Sequence, residues 1–221
     1  GYPDGVDSKP AIFEDRTVSW RDRYVKGKDV STGAPVEWQA QDGYYYTAPT
    51  FPLPHTQRVV LPEVTTGPLT GPGSTGGDGP TDGNPAPKEE LGETAARRKV
   101  LTTEKSRPMF GIPKVTLRGK VSGGRAFVFL ELVDVGKNGR RVTVDDQTTP
   151  VILAEGNVEK TVRLHGVSWI VKPGHRLALE ITMGSGQYQA PQGAYTVKLR
   201  AITKLPLTRS SLVDASRRAL R

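Results

Sequence analysis

The sequence contains no cysteine. Disulfides and thiolate metal sites are therefore excluded, and the redox compartment is left undecided. No stretch approaches the roughly 20 apolar residues of a membrane-spanning helix, so no membrane span is expected. The opening GYPDGVDSKP lacks the charged-then-apolar order of a signal peptide. Histidine is scarce: His55, His165 and His175 are the full set. They supply no His-x-x-x-His spacing. No G-x-S-x-G elbow and no phosphate-cradling glycine loop occur. The expectation is no catalytic residue, no cofactor-binding residue and no metal ligand in this chain, and no cofactor.

Two strings come nearest to chemistry. Ser185, His175 and Asp134 have the side chains of a triad, but nothing in the sequence places them together. From Asp134 through Asn138-Gly139 to Asp145 the spacing imitates a calcium loop. That segment bridges two strands, and Lys137, Arg140 and Arg141 would repel a cation, so a hairpin is expected instead.

What is present is a basic balance, net +8. The short clusters Arg97-Arg98-Lys99, Arg140-Arg141 and Arg217-Arg218 lie far apart. No basic stripe interleaved with aromatics is visible, as a single-strand binder would need. The charges read as a solvated surface, and no nucleic-acid partner is expected. Hydrophobic residues make up 35% of the chain, enough for one ordinary core. Many of the 25 glycines and 18 prolines fall in the segment 66–88, which has almost nothing to bury and reads as a linker or long loop.

Taken in order, Phe13, Thr17, Trp20 and Tyr24 recur at helical spacing, with Gly27 as the stop. That face is too aromatic to leave in water, so something outside the helix must cover it. Val36, Trp38 and Ala40 alternate with Glu37 and Gln39 as a half-buried strand, and Tyr44 to Thr47 can return. Arg58 to Leu61 and Val100 to Thr103 are short extended candidates. Between Lys88 and Arg98 one or two helical turns are expected.

Lys114 to Lys204 then reads as strand after strand. Residues 125–133 (RAFVFLELV) form an apolar run that suits a strand covered on both faces. Asn138-Gly139 turns it into a return strand from Arg141 to Asp145. Val158 to Leu164, Trp169 to Val171, Leu177 to Ile181 and Tyr195 to Ala201 follow, with turn signals between them. Six to eight short strands indicate a mainly β fold, most simply a jelly-roll β-sandwich. The basic tail SSLVDASRRALR reads as a short helix or a frayed end.

Three phrases carry a resemblance. They are V-x-L-R-G-K-V-S at 115–122, F-L-E-L-V-D-V-G-K-N-G-R at 129–140 and W-I-V-K-P-G-H-R-L-A-L-E-I-T at 169–182. Together they resemble the C-terminal domain of the cocaine esterase and X-prolyl dipeptidyl-peptidase (CocE/NonD, S15-like) serine hydrolases. W-R-D-R-Y-V-K-G at 20–27 is similar to the helix after that family's catalytic histidine. P-V-E-W-Q-A-Q-D-G at 35–43 is similar to the last strand of its hydrolase domain. The resemblance implies a galactose-binding-like jelly-roll sandwich preceded by the tail end of an α/β-hydrolase domain. It also implies that the family's serine, aspartate and histidine lie upstream of Trp20, so none maps onto this chain, and His175 is structural.

The expected division is therefore 1–61, the end of an α/β-hydrolase domain; 62–112, a linker and lead-in; 113–204, the sandwich; and 205–221, a tail. Trp20, Tyr24 and Trp38 are the candidate packing interface to the hydrolase core. The partner implied is an upstream hydrolase polypeptide carrying the triad, in the same precursor or as a separate chain. Self-association is left open, and a secreted or cell-envelope place is slightly favoured. The function implied is the C-terminal portion of a serine hydrolase, acting on esters or X-Pro peptides, that completes the hydrolase fold and walls the active site. The alternative, from another class, is a non-catalytic sandwich that binds carbohydrate or a protein partner.

Overall fold

The computed structural model describes residues 11–42, 45–53, 56–60, 64–65, 69–70, 98–102, 106–184, 188 and 195–208. One helix, α1 (Ala11–Tyr24), opens this set. The strands follow as β1 (Val36–Gln39), β2 (Tyr45–Ala48), β3 (Gln57–Val60), β4 (Val64–Thr65), β5 (Leu69–Thr70), β6 (Arg98–Thr102) and β7 (Arg107–Gly111). Then come β8 (Lys114–Ser122), β9 (Ala126–Val135), β10 (Arg141–Leu153), β11 (Gly156–Arg163), β12 (Val167–Val171), β13 (Arg176–Thr182) and β14 (Thr196–Leu207). The protein is mainly β, as its alternating patterns predict.

Two antiparallel sheets share one core. The smaller has the order β10-β9-β13-β6, and the larger β11-β8-β14-β7-β12. Strand β14 is the spine of the larger sheet. One edge pairs with β8 from Thr196↔Ser122 to Lys204↔Lys114, and the other takes up β5, β4 and β3 in turn. Its burial alternates along its whole length, because every second side chain of a strand faces the same side. Val197, Leu199, Ala201, Leu205 and Leu207 point inward with Val115, Leu117 and Val121 of β8. They meet Val128, Leu130 and Leu132 of β9 and Leu177, Leu179 and Ile181 of β13.

The apolar run 125–133 becomes β9, which is buried on both faces as its composition predicts. The ring of Tyr188 stacks on Phe129 on the outer side, with centroids 5.6 Å apart. Glu131 on that side is also buried, and it accepts a hydrogen bond from Thr148 Oγ1 at 2.7 Å. The Asn138-Gly139 hairpin is present: Gly139 N–H donates to Gly136 C=O, and Gly136 N–H to Arg140 C=O.

The sheets reach further than residues 113–204. Strands β3 to β7 all pair into them, although the sequence reading leaves residues 57–61 with the hydrolase-like portion and 62–112 as a lead-in. Two- to five-residue strands are too short for a periodic pattern to register. Strand β14 also continues past Lys204 through Pro206, which lies beyond the last residue paired with β8 and owes no N–H to that ladder. Residues 71–97 and 209–221, with the helical turns and the basic tail expected there, lie outside the described residues.

The spine depends on one close approach. A β-carbon at Gly119 would run into the carbonyl oxygen of Lys198 on β14. Gly119→Ala is expected to destabilise the fold by about 1–3 kcal/mol, the cost of forcing extra volume into a packed site. Urea titration of the two forms measures it directly.

Candidate functional site

The described residues between 11 and 53 are fastened to the sandwich by side chains. Gln41 behaves as a substitute strand partner for the edge strand β12. Its Nε2 donates to Ile170 C=O at 2.7 Å, and Ile170 N–H donates to its Oε1 at 2.8 Å. Ser168 Oγ donates to Gln39 C=O. Beneath this seam Trp38, Ala40, Tyr46, Leu53 and Ile170 form a second, smaller core. Arg16 clamps α1 onto β1 through two bonds of 2.8 Å to the carboxylate of Glu37. The paired carboxylate raises the guanidinium above its ordinary pKa.

The three aromatics expected to form one packing surface separate here. Trp20 and Tyr24 are 58% and 61% exposed, with their rings 5.0 Å apart on the open side of α1. Trp38 is buried within the chain. It stacks on Phe110 at 4.3 Å and on Tyr46 at 5.7 Å. It faces inward because the β1 register sets it opposite Tyr46, on the side that meets β7 and β12. No sequence pattern announced Phe110 as its partner.

A cleft of about 1050 Å³ opens along this seam, between Gln39 and Gln41 on one side and the β9–β10 turn on the other. Asp134 and His175 both line it. His175 follows the Lys172-Pro173-Gly174 turn, where its N–H donates to Lys172 C=O. That turn brings the imidazole Nδ1 to 2.9 Å from Asp134 Oδ1. Trp169 Nε1 donates to Asp134 Oδ2 at 2.8 Å. One buried carboxylate thus ties the end of β9, the strand β12 of the opposite sheet and the start of β13. With Nδ1 engaged, Nε2 is the ring nitrogen left for a ligand. Among the described residues no hydroxyl is hydrogen-bonded to His175, and no cluster of metal-ligating side chains forms. Ser185 and His55 lie outside the described residues, and His165 is exposed in the connection between β11 and β12.

The opposite rim is strained. In β10 the residues Val144 to Gln147 stand against Leu132 alone, because pairing jumps from Thr143↔Val133 to Thr148↔Glu131. Asp145 and Asp146 sit there with φ of 51° and 52°, a left-handed conformation that aspartate tolerates better than most residues. The bulge carries Asp145 to the neighbouring sheet, where Oδ2 accepts the Ser168 N–H at 2.6 Å. Burial pushes the Asp145 pKa up, partly offset by that bond. The sequence reading ends the return strand at Asp145. The two consecutive aspartates inside a strand pattern were the available signal for the bulge.

Two outcomes test this geometry. Asp134→Ala leaves the Trp169 and His175 donors without an acceptor and is expected to cost about 1–3 kcal/mol, read by chemical denaturation. Asp145 has a folded-state pKa above its unfolded value, so it favours folding below the unfolded pKa, and that contribution is lost as pH rises through the folded one. Asp145→Asn is therefore expected to raise the melting temperature at pH 7. It should also remove the Asp145 contribution, which by itself favours folding more at pH 4 than at pH 7, so that the difference between the wild-type and variant melting temperatures narrows as pH falls.

No protein-family model matches the sequence, and no curated protein matches it significantly. Solved structures do match by shape. A CocE/NonD family hydrolase from Staphylococcus aureus superposes with a TM-score of 0.62 and 12% identity, over 89% of this chain and 45% of its own. An aminopeptidase from a marine sediment Thaumarchaeota archaeon gives 0.66 and 10%, over 92% and 45%. An α-amino acid ester hydrolase gives 0.59 and 11%, over 86% and 44%. This chain spans a little under half the length of these structures. It has the fold of part of a CocE/NonD-type hydrolase, and the likeness runs through both its helix-and-hairpin portion and its β-sandwich.

Proposed function

We propose that this chain is the C-terminal portion of a serine hydrolase that cleaves an ester or an X-Pro peptide. The helix and the β1–β2 hairpin supply the end of an α/β-hydrolase domain. Strands β3 to β14, from Gln57 to Leu207, form a galactose-binding-like jelly roll beside it. The triad resides on an upstream hydrolase polypeptide. The portion in hand completes that fold and walls its active site.

The carrying observation is that one superposition covers 86–92% of this chain against hydrolases and an aminopeptidase about twice its length. A free-standing sandwich would match over the sandwich alone. The open aromatic face of α1 supports the same reading. Trp20 and Tyr24 expose rings whose burial would contribute a few kcal/mol, at about 25 cal/mol per Å². A missing hydrolase core is a natural cover for them. A second reading, a non-catalytic module that binds carbohydrate or protein, is favoured by the 1050 Å³ cleft with its unpartnered, buried Gln147 Oε1.

Fluorophosphonate labelling of natively purified material, read on a denaturing gel beside an intact mass of this chain, tests the proposal. The expected outcome is label on upstream polypeptide and none on residues 1–221. Label on this chain would refute it. No label anywhere, with this chain intact and alone, would transfer the weight to the binding module.

A further inference from the structure

The larger sheet turns scattered charges into a stripe. Its inward residues are apolar, so its outward residues are the alternate ones. On β8 these are Lys114, Thr116, Arg118, Lys120 and Ser122. On β14 they are Thr196, Lys198, Arg200, Ile202 and Lys204, and on β11 Asn157, Glu159, Thr161 and Arg163. Antiparallel register sets like charges directly opposite one another: Lys120↔Lys198, Arg118↔Arg200 and Lys114↔Lys204, with Arg163↔Lys114 beside them. Seven cations share this face with a single carboxylate on these strands, Glu159, which Arg118 Nη2 already holds at 2.8 Å. The outward residues of these three strands, seven cations and one carboxylate, thus carry a net charge of +6, beside +8 for the whole chain.

Like charges on directly opposed strand positions are unfavourable. The lysine pairs Lys120↔Lys198 and Lys114↔Lys204 along one strand boundary weaken the very pairing that the fold relies on, while at Arg118↔Arg200 the carboxylate of Glu159 offsets the repulsion. A polyanion laid between them reverses that sign.

We propose that the outer face of β8, β14 and β11 binds an acidic polysaccharide, a linear chain bearing carboxylate or sulfate groups. The shape of the stripe selects a linear partner. Its cations form a double file, about 5 Å across at Cα. It is about 20 Å long from Lys114 to Lys120 at about 3.4 Å per residue. The Thr116/Ile202 row interrupts it. A linear anion lying along β8 and β14 meets both files at once, whereas a flat leaflet gains nothing from their alignment. None of the outward residues on these three strands is aromatic, so bases of a single-stranded nucleic acid would find no stacking platform.

The test uses the full 221-residue chain at one low ionic strength with three partners. These are a size-fractionated heparin oligosaccharide, a single-stranded oligonucleotide, and phosphatidylcholine vesicles containing phosphatidylserine. Tightest binding to the heparin oligosaccharide is expected. K120Q/K198Q should weaken it by about tenfold or more and lower the log–log salt slope by about two, as counterion release from two lost contacts requires. The charge-matched R21Q/R140Q, on the helix and on the β9–β10 turn, should change it by less than about threefold. Because Lys120 and Lys198 repel each other, K120Q/K198Q should melt no lower than wild type, which separates lost binding from lost fold. Equal losses in the two variants, no binding, or tighter binding to the vesicles or to the oligonucleotide would overturn the proposal.

Discussion

Strand β14 is twelve residues long, and the larger sheet is assembled on its two edges. Its strict alternation of apolar and polar residues does two jobs at once. The inward set builds the core with β8, β9 and β13. The outward set stacks Lys198, Arg200 and Lys204 against the cations of β8. Hydrophobic burial on one face is strong enough to hold in place an electrostatic arrangement that is unfavourable on the other. A one-residue slip would exchange the two faces and lose the core, so the register that buries Leu199 is the register that opposes Lys198 to Lys120.

The cleft depends on a similar economy. Asp134 accepts from Trp169 and His175 and so ties three segments from two sheets. Gln41 offers its amide to both backbone groups of Ile170 and docks the β1–β2 hairpin on an otherwise open strand edge. Between these two anchors the bulge at Asp145 and Asp146 closes the far rim. The small aromatic core under the seam, with Trp38 between Phe110 and Tyr46, packs the β1–β2 hairpin on the sandwich. The helix is clamped by Arg16 to Glu37 and shows Trp20 and Tyr24 outward.

Much of the architecture was legible because it rests on period and on turn chemistry. The β9 run, the Asn138-Gly139 hairpin, the alternating strands β8, β11, β13 and β14, and the helix stop at Gly27 are all local patterns. The family resemblance rested on phrases such as P-G-H-R-L, and the superposition with CocE/NonD-type hydrolases agrees with it at the level of fold. Strands β3 and β6 were anticipated as short extended stretches at Arg58–Leu61 and Val100–Thr103, but their places in the sheets were not, and β4, β5 and β7 were obscure because two to five residues carry too little pattern. Trp38 shows the limit of assigning a partner from one strand. Its inward orientation followed from alternation, but what lay inward did not.

By itself the sequence determined the β class, the positions of the long strands and the absence of thiol chemistry. Those depend on residue type and on spacing along the chain. Only the tertiary structure decided that Asp134 and His175, 41 positions apart, share a hydrogen bond, and that lysines 78 positions apart, Lys120 and Lys198, stand face to face. Cross-strand register is a pairing between distant segments, fixed by which faces can be buried together. A linear reading of charge sees clusters only where they are contiguous, so a stripe built across a strand boundary looks like scatter until the sheet is folded.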